Sequence, residues 1–374
     1  MWGCTELDYA DEQDLLLLVV VHQSETIFAS SSADNASDTR QCGAMSEPCI
    51  SLNVALPHII PSVYSNLLID KSAEVTGEAS ACDVSIKSLD AEGARGSVVL
   101  NSSIGSKTKS LVSCSSRVKM EFLTFLFGSA FSSSHSSLLP LTDVNLWIAD
   151  TIFAQEAYGG GSGIELNCLI VEMSGGRLTM SDCTFAGLCL SFSCLAAKGG
   201  QYCSFADLNV SEVNCGELFD FSNFYKPINA ASLISSCIFD RSALILRDCK
   251  DSQWKKVQLK NEESKASLIV LSSDGSGGHS NVQYYHSEFD SISVLSGSLF
   301  SKECQDSDIE MNFFTISNAK LREECAVSVA SNASTFHLKQ SSFQNITRNS
   351  FGPCCLAASS SSLLVELENC TNQK

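Results

Sequence analysis

Short runs in which apolar residues occupy alternate positions recur along this chain, each closing on a turn-forming residue and then another apolar or aromatic one. LTMSDCTF (178–185), LWIADTIF (146–153) and VQYYHSEF (282–289) share this design. Written as apolar, any, apolar, any, turn-like, any, any, apolar, the phrase also fits VKMEFLTF at Val118, IEMNFFTI at Ile309 and FHLKQSSF at Phe336. Looser copies begin at Leu208, Ser232, Val257 and Val365, and VSIKSLDA at Val84 reads as an earlier one. From Val118 on, the starts are 24 to 32 residues apart, so the regular series is the signal rather than any single copy.

Alternation over the first half of the phrase predicts a strand with one buried face, because strand side chains point to opposite sides in turn. In several copies the fifth position is Asp150, Asp182, Asn261 or Asn369, residue types that tolerate left-handed backbone. The chain is therefore expected to bend there and start a second strand. Phe153, Phe185, Phe239, Phe289 and Phe343 would point inward as a ladder, and Cys183, Cys203 and Cys237 would pack near one bend as small fillers. Frequent Ser, Thr and Gly and the lack of a long 3.6-period stripe disfavour helical repeats. No leucine-rich signature or propeller blade is visible. A repeat of this length with two or three short strands suits a parallel β-helix, each strand pairing with its counterpart one coil along.

CGAMSEPCISLNVAL (42–56) resembles the segment that opens many right-handed β-helix domains of the pectin-lyase-like superfamily, which reads G, a few polar residues, P-[CFY]-x-[ST]-[LI]-x-x-A. Gly43, Pro48, Cys49, Ser51, Leu52, Ala55 and Leu56 supply it, and Leu52, Leu56 and Ile59 would be the buried face of a capping helix. LLIDKSAEVTG, VSIKSLDAEG, SVVLNSS and RVKMEFLTF then resemble the first coils of that superfamily. In style the chain is closest to adhesin-like and surface β-helix repeat proteins, whose glycine-rich repeats GGGSGIEL (159–166) echoes. The expected architecture is all-β: a single right-handed parallel β-helix (solenoid) of about ten or more coils with a short N-terminal capping helix. Residues 1–41 would be an N-terminal segment, either a degenerate signal peptide or disordered; 42–62 the cap; and 63–374 the β-helix, cut short at its C-terminus because the last copy runs into the chain end.

Composition narrows the function. Acidic residues outnumber basic ones 42 to 24, a net charge of -18, so nucleic-acid phosphates and anionic membrane surfaces would be repelled. Eighteen cysteines imply an oxidising compartment or an interior that uses Cys as filler. No C-x-x-C pair occurs, which removes the strongest sign of a zinc ribbon or dithiol redox motif. Cys42 and Cys49, beside the turn residues Gly43 and Pro48, are a disulfide candidate. Glycosylation candidates are Asn35, Asn101, Asn209, Asn332, Asn345 and Asn369, which with the cysteines place the protein outside the cell or on its surface. LLLLVVV (15–21) reads as a short signal-peptide core or a buried strand, and it follows acidic rather than basic residues. No run is long enough to span a membrane.

Asp150 and Asp182, stacked about 5 Å apart if the coils are in register, are the only catalytic candidates. The competing reading is that Asp simply suits the bend, since neighbouring copies carry Phe122 and Glu212 there. The N-T-D, D-D, G-H-G and R-I-K motifs of polygalacturonases are absent, as is the R-x-P-x-x-R of pectate lyases. SSDGSGGHS (272–280) lacks a P-loop lysine and EF-hand spacing, and no histidine spacing suggests a metal. No cofactor is expected. The favoured function is a non-enzymatic secreted or cell-surface β-helix with a structural, adhesive or glycan-binding role, its partner a carbohydrate or another surface protein. The alternative is a diverged polysaccharide lyase or glycoside hydrolase of the same superfamily.

Overall fold

The computed structural model describes residues 26–59, 65–75, 83–89, 95–100, 117–128, 136–155, 165–166, 168–223, 225, 227–249, 251–272, 280–302, 307–322, 324–329, 334–348, 356–358, 363–368 and 371–373. The run 15–21, most of 159–166 and 272–280, Cys354, Cys355, Asn101, Asn332 and Asn369 lie outside them.

Every paired strand runs parallel to its neighbour, and three long sheets form the faces of a β-solenoid. The first face holds thirteen strands from Thr26–Ala29 to Leu363–Glu368, and the second holds twelve from Ser72–Glu74 to Thr371–Gln373. The third begins at Ser136–Thr142 and forks after the ten-residue strand Ile238–Arg247, which pairs with both Glu263–Ser264 and Ile269–Ser272. The stack count differs slightly from the ten copies of the phrase.

The bends explain both the phrase and a correction to it. Between the first and second faces, Phe122, Asp150, Asp182, Asp207, Ala231, Lys256, His286, Phe313 and Gln340 all take φ between 48° and 58°. Each N–H reaches the next coil, as in Asp150 N to Ser181 O at 3.0 Å and Asp182 N to Ala206 O at 3.0 Å. Between the second and third faces, Glu212, Ser236, Asn261, Ser291 and Asn318 do the same, and Asn345 takes the same φ. The looser copies at Leu208, Ser232 and Val257 therefore belong to this second bend, whereas those at Val118, Leu146, Leu178, Val282, Ile309 and Phe336 belong to the first. Two edges of the coil use the same local chemistry, and an eight-residue window cannot tell them apart.

The Phe ladder divides accordingly. Phe125, Phe153 and Phe185 stack on the second face at centroid separations of 5.1 and 5.0 Å, held there by in-register pairing. Phe289 and Phe343 occupy the same column further along, after Val210, Ile234 and Leu259, but Phe239 lies on the third face. Cys183, Cys203 and Cys237 are all buried, yet they sit at the first bend, on the first face and at the second bend respectively. The thiol of Cys183 donates to Ser181 O at 3.2 Å, as the hydroxyls of Thr151, Ser287 and Ser341 donate two residues back in the same column. Cys237 and Cys249 repeat this at the other bends. A small buried donor is what the inside of a bend requires, and burial pushes the Cys183 thiol up to about 12, so it stays unreactive. Cys183→Ser is accordingly expected to shift stability by no more than about 1 kcal/mol, read from thermal unfolding.

At the N-terminal end, Thr26–Ala29 pairs with Ser65–Ile69 as the first strand of the first face. Its TIFA alternation buries Ile27 and Ala29, which is enough to recruit it to the sheet. The capping segment is inserted between these two strands. Its helix is one turn, Leu52–Ala55, continued by a 3-10 turn at Leu56–His58, with Leu52, Ala55, Leu56 and Ile59 buried. Asp38 fixes the residues just before it, accepting from Ile50 N, Ser51 N and Ser51 Oγ at 3.0, 3.0 and 2.8 Å. Cys42 and Cys49 are joined by a disulfide with their Cα atoms 5.0 Å apart. Among the described residues no helix is long and apolar enough to cross a membrane.

A groove on the third face as candidate functional site

Outward positions of the third face line up into two rows. One row is Thr142, Ser174, Lys198, Ser222 and Arg247; the other is Pro140, Glu172, Ala196, Asp220 and Ile245. Each first-row residue immediately precedes a left-handed bend residue, namely Asp143, Gly175, Gly199, Asn223 or Asp248. The bend therefore fixes where the row's side chains leave the sheet. Glycine is required at Gly176, where a Cβ would strike the carbonyl and amide of Val144.

Together the rows wall a groove of about 440 Å³, a size that suits a small ligand or a few sugar units. Its concavity follows from side-chain size, because Ala196 stands between Glu172 and Asp220 and leaves the floor open. Glu172 Oε2 accepts from Ser137 Oγ at 2.9 Å, and Asp220 Oδ2 accepts from Arg247 at 3.2 Å. Asp220 Oδ1 is buried without a hydrogen-bond partner among the described residues. An unpaired buried acceptor costs free energy. Lys198 is exposed on the rim and supplies a cation opposite these carboxylates.

Earlier on the strand that carries Asp220 lies Glu217, 2% exposed, whose Oε2 accepts from Ser193 Oγ at 2.8 Å and meets Arg241 at 2.7 Å. Burial raises its carboxyl above the ordinary range, and Ser193 and Arg241 partly offset this. Glu217 is not among the groove's lining residues; its contacts to Ser193 and Arg241 brace the strand where its pairing with Ile238–Arg247 shifts register.

The residues singled out from the sequence lie elsewhere. Asp150 and Asp182 are adjacent in register, as expected, and Asp207 extends the stack, but all three sit at the bend across the coil from the groove. Asp182 is exposed, and Arg95 Nε donates to the backbone oxygen of Asp150 at 2.9 Å rather than to its carboxylate. Their backbone conformation, shared with Ala231 and Lys256, accounts for them. Asn35, Asn209 and Asn345 are exposed. The groove had a sequence signature of its own, PLTD, EMSG, AAKG, DFSN and ILRD, in which a polar or cationic residue precedes each bend. It was hidden because the first-bend phrase is more hydrophobic and carries the aromatic.

No family model matches the chain, and no curated protein matches it. Among solved structures, two crystal structures of the GH136 lacto-N-biosidase from Eubacterium ramulus are similar, each 8% identical. The selenomethionine derivative aligns over 95% of this chain and 69% of that one with a TM-score of 0.34. The native protein aligns over 91% and 68% with a TM-score of 0.30. A likeness this loose has no bearing on activity.

Proposed function

We propose that this protein is an extracellular or cell-surface β-solenoid of the pectin-lyase-like kind that binds a carbohydrate in the groove of its third face. The observation that carries this reading is the mixture of groups along the two rows. Lys198, Arg247, Ser174 and Ser222 offer donors, Glu172 and the unpaired Asp220 Oδ1 offer acceptors, and sugar hydroxyls need both at once. The Cys42–Cys49 disulfide and the exposed sequons at Asn35, Asn209 and Asn345 support an oxidising, glycosylating compartment. At Asn345 a glycan would replace a hydrogen bond, since its Nδ2 donates to Asn318 Oδ1 at 3.0 Å.

One feature favours hydrolysis as a second reading. Glu172 and Asp220 stand two strands apart, about 10 Å at the usual strand spacing and close to the roughly 6.5–9.5 Å between the carboxyls of inverting glycosidases. Calorimetry of the full chain with hexasaccharides of uronic acid, N-acetylhexosamine and neutral hexose separates the two. Binding is expected for at least one of them, weakened tenfold or more in Lys198→Ala and Asp220→Asn. Release of reducing ends that disappears in Glu172→Gln while binding persists would establish the enzyme. Failure of every saccharide to bind, or wild-type affinity in both variants, would sink the groove reading.

A further inference from the structure

The first-bend column supplies its own comparison set. Its members share one left-handed backbone, and Asp150, Asp182, Asp207, Ala231, Lys256 and Gln340 show what the position ordinarily takes. Phe122 and Phe313 depart from this, with φ 55° and 52° and 42% and 48% exposure, and it is Phe313 that carries a second exposed ring, His286, stacked on it. The left-handed region is unfavourable for a bulky side chain, and an exposed ring also leaves apolar surface in water. The fold gains nothing from phenylalanine there, and strain of this kind points toward function.

The surroundings of Phe313 are organised. His286, one coil earlier, stacks on it at a centroid separation of 4.5 Å and an interplanar angle of 7°, so the two exposed rings form one flat plate. Beside the plate, on the outer side of the first face, Glu310 accepts from Gln283 Nε2 at 3.3 Å, Tyr285 Oη at 3.4 Å and Asn312 Nδ2 at 2.9 Å. Gln253 continues the line, its Nε2 donating to Gln283 Oε1 at 3.3 Å, and Lys339 Nζ stands 3.8 Å from Glu310 Oε1. These planar side chains are therefore held by one another. One acceptor is left over: Asn312 Oδ1, on the residue before Phe313, is buried and has no hydrogen-bond partner among the described residues.

We propose that the His286–Phe313 plate and the Asn312 and Glu310 groups beside it are a second binding site, one that takes a neutral sugar ring. The apolar C–H face of a pyranose lies flat on the plate, while a ring hydroxyl donates to Asn312 Oδ1. A few placed polar groups beside an aromatic surface are the usual composition of such a site. Glu310, Glu366 and Glu368 on the same face disfavour an anionic sugar. The site belongs to a different face and to later coils than the groove, so the two can be tested apart.

Saturation-transfer NMR of the full chain with hexasaccharides of β-linked glucose, mannose and N-acetylglucosamine tests the assignment. At least one should bind, Phe313→Asn should weaken it tenfold or more, and Lys198→Ala should leave that binding unchanged. The melting temperature of Phe313→Asn should equal or exceed that of the wild type, because Asn is at ease in the left-handed region. The proposal is overturned if none of the three binds, if Phe313→Asn binds as the wild type does, or if Lys198→Ala abolishes the same binding. It is equally overturned if Phe313→Asn melts well below the wild type or fails to fold, because Phe313 would then be structural.

Discussion

Phe153→Ala is expected to lower stability by about 3–5 kcal/mol in urea unfolding. Phe153 is fully buried, and its ring lies between Phe125 and Phe185 at about one strand spacing from each. A cavity in the middle of this column cannot close, because the strands on both sides are held in register by backbone hydrogen bonds. In a solenoid each coil contacts only its neighbours, so the loss falls on two interfaces at once. The transition is therefore expected to broaden as the rod unfolds in two parts. Phe153→Leu, which keeps most of the volume, should cost about 1 kcal/mol. Unfolding midpoints for Phe153→Ala that matched the wild type would show that the ladder does not hold the coils together.

The second large effect is a pH dependence carried by Glu262. This residue occupies the inside of the second bend, 1% exposed, at the position that Cys237 and Ile292 fill in adjacent coils. Burial raises its carboxyl to about 8, although the Cys237 N–H donates to Oε2 at 3.0 Å and pulls the other way. Since the folded value lies above the unfolded one, the native state holds the proton across the interval between them. This contribution is complete below about pH 4.5, the ordinary carboxyl value, and is lost as pH rises through about 8. Glu262→Gln removes the ionisation. The variant should match the wild type near pH 4.5 and exceed its stability at pH 8.5 by about 3–5 kcal/mol, because each tenfold difference in proton affinity between the folded and unfolded chain is worth about 1.4 kcal/mol. The informative quantity is the difference between the two urea curves, because every other titrating group cancels. Parallel curves from pH 4.5 to 8.5 would mean that Glu262 ionises freely in the native state.

The two predictions rest on different kinds of legibility. Phe153 and Phe185 belong together on sequence grounds, because each occupies the eighth place of one phrase. Phe239 takes the same eighth place in a looser copy, and only pairing assigns it to the third face. Glu262 gives no local warning at all. NEES reads as an exposed polar turn, and the buried position becomes visible only when Cys237 and Ile292 are stacked on either side of it. The same holds for the groove. Glu172 and Asp220 are 48 residues apart, and neither carries a motif.

Periodicity alone was sufficient for the all-β parallel solenoid, the inward aromatic positions and the use of Asp and Asn at bends, because strand alternation and left-handed tolerance are properties of a residue and its near neighbours. Register, the edge to which each phrase belongs, the inclusion of Thr26–Ala29 in the first coil and the meeting of Glu172, Lys198, Asp220 and Arg247 depend on which coil lies against which. The physical reason is that coils vary in length through their loops. Chain distance therefore does not report stacking distance, and only the hydrogen-bonded ladder brings equivalent positions to a common height.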